Sequence, residues 1–373
     1  MQKKIIALAI AAAFAAPAVA LADVSMYGSL DGGVRHQTND AAAAGTTDTM
    51  QMGQYNTSRF GLKAVEDMGD GMKANVVLET SLAPGGVGSN PNTAASASGA
   101  NQAEVSVSNP FGLLFDRQAT IGVSGGWGSF DMGWNYTASF KTIKTYDPFD
   151  YKYLKIAGAK SSDFADRAGS MAYGGKFGDV SVIAEYYVNN GTATQDVSQS
   201  TAPGKGRAFS VNYASGAINA GFAYTVIEPG LVYSLNTTTL AVGAAENGGI
   251  THMTAGAGFN YGDGKVSVGY AKKATKPVTT GNDNTDTNMW LGATFNMSTK
   301  VTITGAYYSN AKNTGAAGAN DSTKKTLMAG VTYNLSKATQ VYLEADKATS
   351  NTGGAGAADT IVSGTSLGLS TSF

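Results

Sequence analysis

Thr326-Leu327-Met328-Ala329-Gly330-Val331-Thr332-Tyr333-Asn334 alternates with a period of two. Leu327, Ala329, Val331 and Tyr333 share one parity, opposed by Thr326, Gly330, Thr332 and Asn334. Successive side chains on a strand point to opposite faces, so this stretch reads as a strand with one apolar face. The pattern recurs upstream. Leu291, Ala293, Phe295 and Met297 oppose Asn288, Gly292 and Thr294, and Val180, Val182, Ala184 and Tyr186 form one face. Phe60, Leu62 and Ala64 alternate with Arg59, Gly61 and Lys63, and Met72, Ala74, Val76 and Leu78 with Lys73, Asn75 and Glu79. Near the start, Val24, Met26, Leu30 and Val34 share one parity and Ser25, Tyr27, Ser29 and Asp31 the other.

Sixteen strands follow from this periodicity: 24–36, 57–67, 71–82, 117–125, 127–136, 167–176, 178–190, 206–214, 217–227, 251–261, 264–273, 286–297, 300–309, 325–335, 339–348 and 361–373. Their connections alternate in length. The short ones, such as Gly125-Gly126 and Tyr261-to-Gly264, have tight-turn chemistry. The long ones run 37–56, 83–116, 137–166, 191–205, 228–250, 274–285, 310–324 and 349–360 and are rich in Ala, Gly, Thr, Asn and Ser.

Composition narrows the chemistry. Only 14% of the 373 residues are charged and 48 are Gly. The absence of Cys removes disulfides, thiolate metal sites and cysteine nucleophiles together. The two histidines, His36 and His252, are far apart, which leaves little for a zinc site or a Ser-His-Asp triad. The formal net charge of −1 gives no reason to expect nucleic acid. Gly-rich pieces such as Gly262-Asp263-Gly264-Lys265 lie between strands and read as turns, not phosphate cradles. Acidic stretches such as Asn282-Asp283-Asn284 lack the spacing of a calcium loop, and no metal or cofactor is expected.

Residues 1–22 read as an export signal. Lys3 and Lys4 precede the apolar Ile5–Ala16, Pro17 breaks it, and Ala20-Leu21-Ala22 fits a cleavage site. The domain then runs 23–373. Beyond Ala22 no apolar run approaches the roughly 18 residues of a transmembrane helix. Strict short/long loop alternation and one apolar face per strand are instead the marks of an outer-membrane barrel, with short periplasmic turns and long external loops. Closure is what satisfies every strand's backbone in lipid. The expected fold is all-β, a 16-stranded antiparallel transmembrane β-barrel. Tyr173, Tyr213, Tyr224, Phe259, Tyr261 and Tyr333 near strand ends match an aromatic girdle. Sixteen strands leave a lumen wide enough for water.

The chain resembles a general-diffusion porin of the β-proteobacterial, neisserial-type family. Val24-Ser25-Met26-Tyr27-Gly28-Ser29-Leu30-Asp31-Gly32-Gly33 is similar to the family's first strand. Ser58-Arg59-Phe60-Gly61-Leu62-Lys63, with Glu66-Asp67 and Gly71-Met72-Lys73-Ala74, resembles its second hairpin. Arg117-Gln118-Ala119-Thr120-Ile121-Gly122-Val123 resembles the start of strand four, Tyr146-Asp147-Pro148-Phe149 the tip of the third loop, and Phe373 the barrel-assembly signal. The resemblance implies a homotrimer in the outer membrane, in contact with lipid and lipopolysaccharide. It also implies a third loop, about 137–166, folded inward as a constriction. Two departures stand out: Gly133-Trp134-Asn135 lacks a frequent pore arginine, and Arg167 matches its counterpart only with a one-residue gap.

The expected function is passive diffusion of small hydrophilic solutes and ions, with a modest anion preference. Alternation points Arg59, Lys63, Lys73 and Glu79 inward, and Arg35 inward near the outer rim. Arg117 shares the parity of Ile121 and Val123, which aims it at lipid; the resemblance puts it in the lumen, which it reaches if the strand bulges or begins after it. Loop three sets Lys141, Lys144, Lys152, Lys155 and Lys160 against Asp147, Asp150, Asp163 and Asp166. Asp147-Pro148 favours a bend, and Asp147 or Asp150 is expected opposite Arg59 and Lys63 across the neck. With Arg117 and Arg167 added, the neck is net basic. The alternative is a porin selective for an organic acid or oligosaccharide. A sugar pathway calls for an aromatic slide, whereas the inward aromatics Trp290, Tyr27, Tyr187, Tyr308 and Tyr342 are scattered over strands.

Overall fold

The computed structural model describes residues 22–41, 45–82, 115–153, 167–188, 205–236, 241–276, 282–314, 321–351, 353 and 358–373. The segment expected to be an export signal, apart from Ala22, lies outside them, as do most of loop two and Lys155, Lys160, Asp163 and Asp166 of loop three.

In chain order the elements are β1 Asp23–Asn39, β2 Thr46–Met52, β3 Arg59–Gly69, β4 Met72–Ser81, β5 Gln118–Gly125 and β6 Gly128–Tyr136. The helix α1, Ala138–Tyr146, comes next. Then follow β7 Arg167–Phe177, β8 Val180–Tyr187, β9 Gly206–Ser215, β10 Ile218–Ile227, β11 Gly230–Asn236, β12 Ala241–Asn247 and β13 Ile250–Tyr261. The chain ends with β14 Gly264–Thr275, β15 Asn284–Asn296, β16 Val301–Asn313, β17 Ser322–Asn334, β18 Thr339–Asn351 and β19 Thr360–Ser372.

Neighbouring strands pair antiparallel around a closed wall of sixteen staves. β1 pairs with β3 through Asp23–Ser29 and with β2 through Gly32–Thr38, so β2 prolongs the stave of β3. β11 and β12 form a separate hairpin within the connection between β10 and β13. These three strands were not expected, since each sits in a long connection where strand periodicity is interrupted by polar and small residues. The wall closes where β1 pairs with β19, from Ser29↔Ser372 to Asn39↔Val362. Gly28 and Phe373 then exchange backbone hydrogen bonds of 3.0 and 3.1 Å.

The faces are inverted relative to a soluble protein. Leu327, Leu291, Met289 and Leu367 are 60, 55, 54 and 53% exposed on the outside. Ser210, Thr225, Thr254, Asn288, Thr326 and Ser366 are buried on the inside. An outer surface so apolar is stable only against lipid.

Loop three turns into the barrel. Thr137 caps α1 by accepting from the Phe140 amide at 3.1 Å. Ala138, Ser139, Thr142, Ile143 and Tyr146 lie on one helical stripe and are buried. That stripe packs on the inner faces of β8, β9, β10, β13 and β14.

Candidate functional site: the neck of the barrel

Loop three is seated on a patch of aromatic wall. The indole of Trp290 donates to the Tyr146 carbonyl at 2.9 Å, and the phenol of Tyr308 donates to Asp147 at 2.6 Å. Lys265 donates to the Thr145 carbonyl at 3.0 Å. Gly256 lies directly beneath the Tyr146 ring, where any Cβ would overlap it. Beyond the helix, Asp150, Tyr151 and Tyr153 adopt φ of 53, 61 and 55°. Left-handed backbone at non-glycine residues is strained. Burial of aromatic rings offsets the strain: Tyr153 meets Tyr55 edge-on at 4.9 Å, Tyr55 stacks on Tyr342 at 4.8 Å, and Phe140 meets Tyr151 at 4.8 Å.

This arrangement corrects two expectations. Asp147 does not face Arg59 across the neck. It is 4% exposed, accepts from Tyr308 and from the Tyr151 amide at 2.6 Å, and caps α1. Burial pushes its carboxyl up to about 6, against the lowering effect of those hydrogen bonds. Nor are the inward aromatics all scattered: β15, β16 and β18 bring Trp290, Tyr308 and Tyr342 into one cluster covered by loop three, while Tyr187 packs in a second cluster and Tyr27 bonds to Glu79. Strand parity indicated the face but not the height along the barrel, so their convergence was not legible. Asp150 remains exposed, 4.0 Å from Lys144 and electrostatically close to Lys265 on the loop-seating wall.

The cations gather on the other wall. Arg117 precedes β5, and its side chain turns inward: its Nε is 2.6 Å from Glu79, and its Nη2 donates to the Tyr136 phenol at 2.7 Å. Start of the strand after Arg117 thus resolves the conflict between parity and resemblance. Glu79 also accepts from Tyr27 and Tyr136, both at 3.1 Å. Arg167, the first residue of β7, lies over the Tyr136 ring at 4.9 Å. Arg59 donates to Asn56 at 2.6 Å and lies within electrostatic range of Arg117, Arg167 and Glu79. The structure therefore brings Arg59, Arg117 and Arg167 together, with Glu79 and Asp116 as the acids near them among the described residues. Burial lowers the Lys141 ammonium from its ordinary value, against Glu185 and Asp131 nearby.

The other expected wall residues are more dispersed. Lys63 and Lys73 are exposed toward the short-turn end of β3 and β4. Arg35 is buried near the long-loop end, 2.7 Å from Asp346 and 3.4 Å from Glu344. Tyr136, which orders Arg117, Glu79 and Arg167, was missed. It has the outward parity of Trp134, but the strand ends there and its ring turns onto Phe140 of loop three.

Comparison with known proteins agrees with this architecture. The sequence profile described as Gram-negative porin matches residues 7–353. An outer membrane porin of Bordetella pertussis is 33% identical over 162 residues, which is 40% of this chain and 37% of that protein. Outer membrane porin protein 32 of Delftia acidovorans is 30% identical over 149 residues, 40% of this chain and 36% of that protein. The chain thus aligns with less than two fifths of the length of these two curated relatives. The structure of an anion-selective porin from Comamonas acidovorans superposes with a TM-score of 0.69 at 20% identity, covering 95% of this chain and all of that one, a likeness of fold. By the extent of the profile match, the chain belongs to the Gram-negative porin family.

Proposed function

We propose that this barrel is a water-filled outer-membrane channel for passive diffusion of small hydrophilic solutes, with a preference for anions. The observation that carries the reading is the cluster of Arg59, Arg117 and Arg167, three guanidinium groups beside two carboxylates, Glu79 and Asp116, among the described residues. Glu79, 2.6 Å from Arg117, and Asp116 offset two of the three guanidinium charges, which leaves a net positive potential. Of the two acids expected to balance them, Asp147 is turned into the wall and Asp150 stands by Lys144 and Lys265. A positive potential within low-dielectric walls concentrates anions. The anion selectivity named for the Comamonas porin supports the same sign.

A sugar-selective pathway is disfavoured by burial: Trp290, Tyr308 and Tyr342 are 2, 1 and 1% exposed and leave no stacking surface. We further propose the homotrimeric assembly that the family resemblance implies, testable by a cross-linking ladder ending at three copies. Cleavage after Ala22 is testable by finding Asp23 at the mature N-terminus.

The deciding measurement is a planar-bilayer recording under a salt gradient. Ohmic conductance with a reversal potential of the anion-preferring sign is expected. A cation-preferring sign sinks the selectivity reading, and absence of conductance from folded protein sinks the channel itself.

A further inference from the structure

Three guanidinium groups meet at the neck, and each is held differently. Arg59 donates from Nε to the Thr57 carbonyl at 3.2 Å and from Nη2 to Asn56 at 2.6 Å. Arg117 is held by Glu79 at 2.6 Å and by the Tyr136 phenol at 2.7 Å. Arg167 has neither device. Its Nε is buried without an acceptor, and no carboxylate among the described residues pairs with it. What holds its guanidinium is the ring of Tyr136, whose centroid is 4.9 Å away.

This contact arises from the ends of two strands. Tyr136 is the last residue of β6, Arg167 the first of β7, and the two are opposite each other. Tyr136 has the parity of the exposed Met132, and Arg167 that of the exposed Met171. At the strand ends the pleat no longer dictates direction, and both side chains leave the outer face for the neck. The Tyr136 ring is shared with loop three. Phe140 stacks on it at 4.8 Å with an interplanar angle of 19°. Phe140 lies in the first turn of α1, its amide bonded to the cap Thr137, and Tyr136 immediately precedes that cap. Contact between the residue before a cap and the first turn fixes the angle at which the chain enters the helix. Phe140 also meets Tyr151 edge-on at 4.8 Å, and the Tyr151 amide donates to Asp147 at 2.6 Å. One aromatic row therefore runs from a wall arginine through Tyr136 and Phe140 to the far limb of loop three.

We propose that Phe140 is a specificity-determining residue that acts as a positioning residue: by stacking on Tyr136 it holds the ring against Arg167 and keeps that guanidinium in the neck. Loop three thereby fixes the place of a charge that belongs to the wall. The two parts of Tyr136 have separable tasks, the phenol ordering Arg117 and Glu79 and the ring ordering Arg167. The inference rests on the channel reading and on the role given to the clustered arginines, but not on the sign of the ion preference.

The test is a double-mutant cycle on the full chain in planar bilayers, read as the anion-to-cation permeability ratio from the reversal potential at low salt. Phe140→Leu should lower the ratio about twofold, the lower end of the roughly two- to fivefold change in occupancy that a part-exposed cation–π contact supports. Phe140→Tyr, which keeps a stacked ring, should restore the wild-type value. In an Arg167→Ser background Phe140→Leu should change nothing further, whereas in an Arg59→Ser background it should act in full. Tyr136→Phe should preserve the coupling between Phe140 and Arg167, and Tyr136→Leu should abolish it. Phenylglyoxal labelling of Arg167, followed by mass spectrometry, should quicken severalfold in Phe140→Leu while that of Arg59 is unchanged. Heat-modifiable migration reports that each variant is folded, and Phe140→Met replaces Phe140→Leu if the latter does not assemble. The proposal is overturned if the substitution leaves the ratio unchanged, if it acts equally with and without Arg167, or if labelling of Arg167 does not quicken. A wild type of cation-preferring sign refutes the proposed selectivity alone, because the coupling is a quotient of ratios. A folded wild type that does not conduct refutes the channel, and the labelling rates then decide whether Phe140 positions Arg167.

Discussion

The phenol of Tyr308 on the barrel wall donates a 2.6 Å hydrogen bond to Asp147 at the elbow of loop three. One strand away, Trp290 holds the preceding residue through its carbonyl. The wall therefore grips the loop at two consecutive residues. Tyr308→Phe keeps the ring and removes the donor, at a cost of about 1–3 kcal/mol for the buried carboxylate. The expected result is a noisier open-channel current and faster proteolysis within loop three, with normal heat-modifiable migration. A quiet, protease-resistant channel would show that the hydrogen bond does not hold the loop.

Acidity should strengthen docking of the loop, because burial favours the neutral Asp147 carboxyl by more than its hydrogen bonds favour the carboxylate. Burial raises Asp147 from 3.8 to about 6, so the docked loop binds more protons than the released one between those values. Docking is then strongest below pH 4 and weakens as pH rises to 6, by up to about 3 kcal/mol. Proteolysis of loop three should accordingly increase from pH 4 to pH 7. Asp147→Asn should flatten that profile; persistence of the slope in the variant would assign it to another group.

Selectivity should follow the clustered arginines. Arg59→Ser and Arg167→Ser are each expected to shift the reversal potential toward cations at low salt, and the pair more than either. Lys63→Ser, at an exposed position nearer the short-turn end, should shift it less. All shifts should shrink at 1 M salt, where the Debye length is about 3 Å. Equal effects at Lys63 and Arg59 would mean that the narrowest field is not at the cluster.

The Arg117–Glu79 pair, both partners buried and 2.6 Å apart, should couple strongly. Arg117→Ala leaves a buried carboxylate without its partner, a loss of about 3–5 kcal/mol. Arg117→Met/Glu79→Gln removes both charges and should recover much of it. Denaturant unfolding of the four proteins in one detergent gives the coupling energy, and simple additivity would contradict a buried pair.

Barrel closure should be sensitive at Gly28. A Cβ there would overlap the Phe373 ring and crowd the Arg59 carbonyl. Gly28→Val and deletion of Phe373 should both reduce the heat-modifiable barrel recovered from the outer membrane severalfold. Wild-type recovery from either would show that the last residue is dispensable for closure.

The strands were legible because parity is local: Leu327, Ala329 and Val331 declare their face without reference to any neighbour. The closed wall followed from their number and from the alternating connections. The neck was only half legible. Glu79 lies within its strand and Arg59 is paired on both sides at the start of β3, so alternation gives their direction. Arg117 and Tyr136 lie at strand ends, where it no longer applies, and both turn inward against their parity. Asp147 was misplaced for a different reason. A carboxylate at an Asp-Pro bend reads as solvent-facing until Tyr308, 161 residues away, is known to stand over it. Long-range convergence of this kind has no signature in either segment alone.

The pairing of Gly28 with Phe373 also constrains the order of events in the life of the chain. The seam of the wall joins the first strand to the last, the longest sequence separation among the described strand pairings. Contacts of such separation form slowly, and the free edge of β1 has no partner until β19 is in place. Every growing or translocating chain is therefore an open ribbon with two unpaired edges, each a template for association with another ribbon. Joining β1 to β19 removes both edges at once, so a ribbon that has not made this pairing stays open to association with its neighbours.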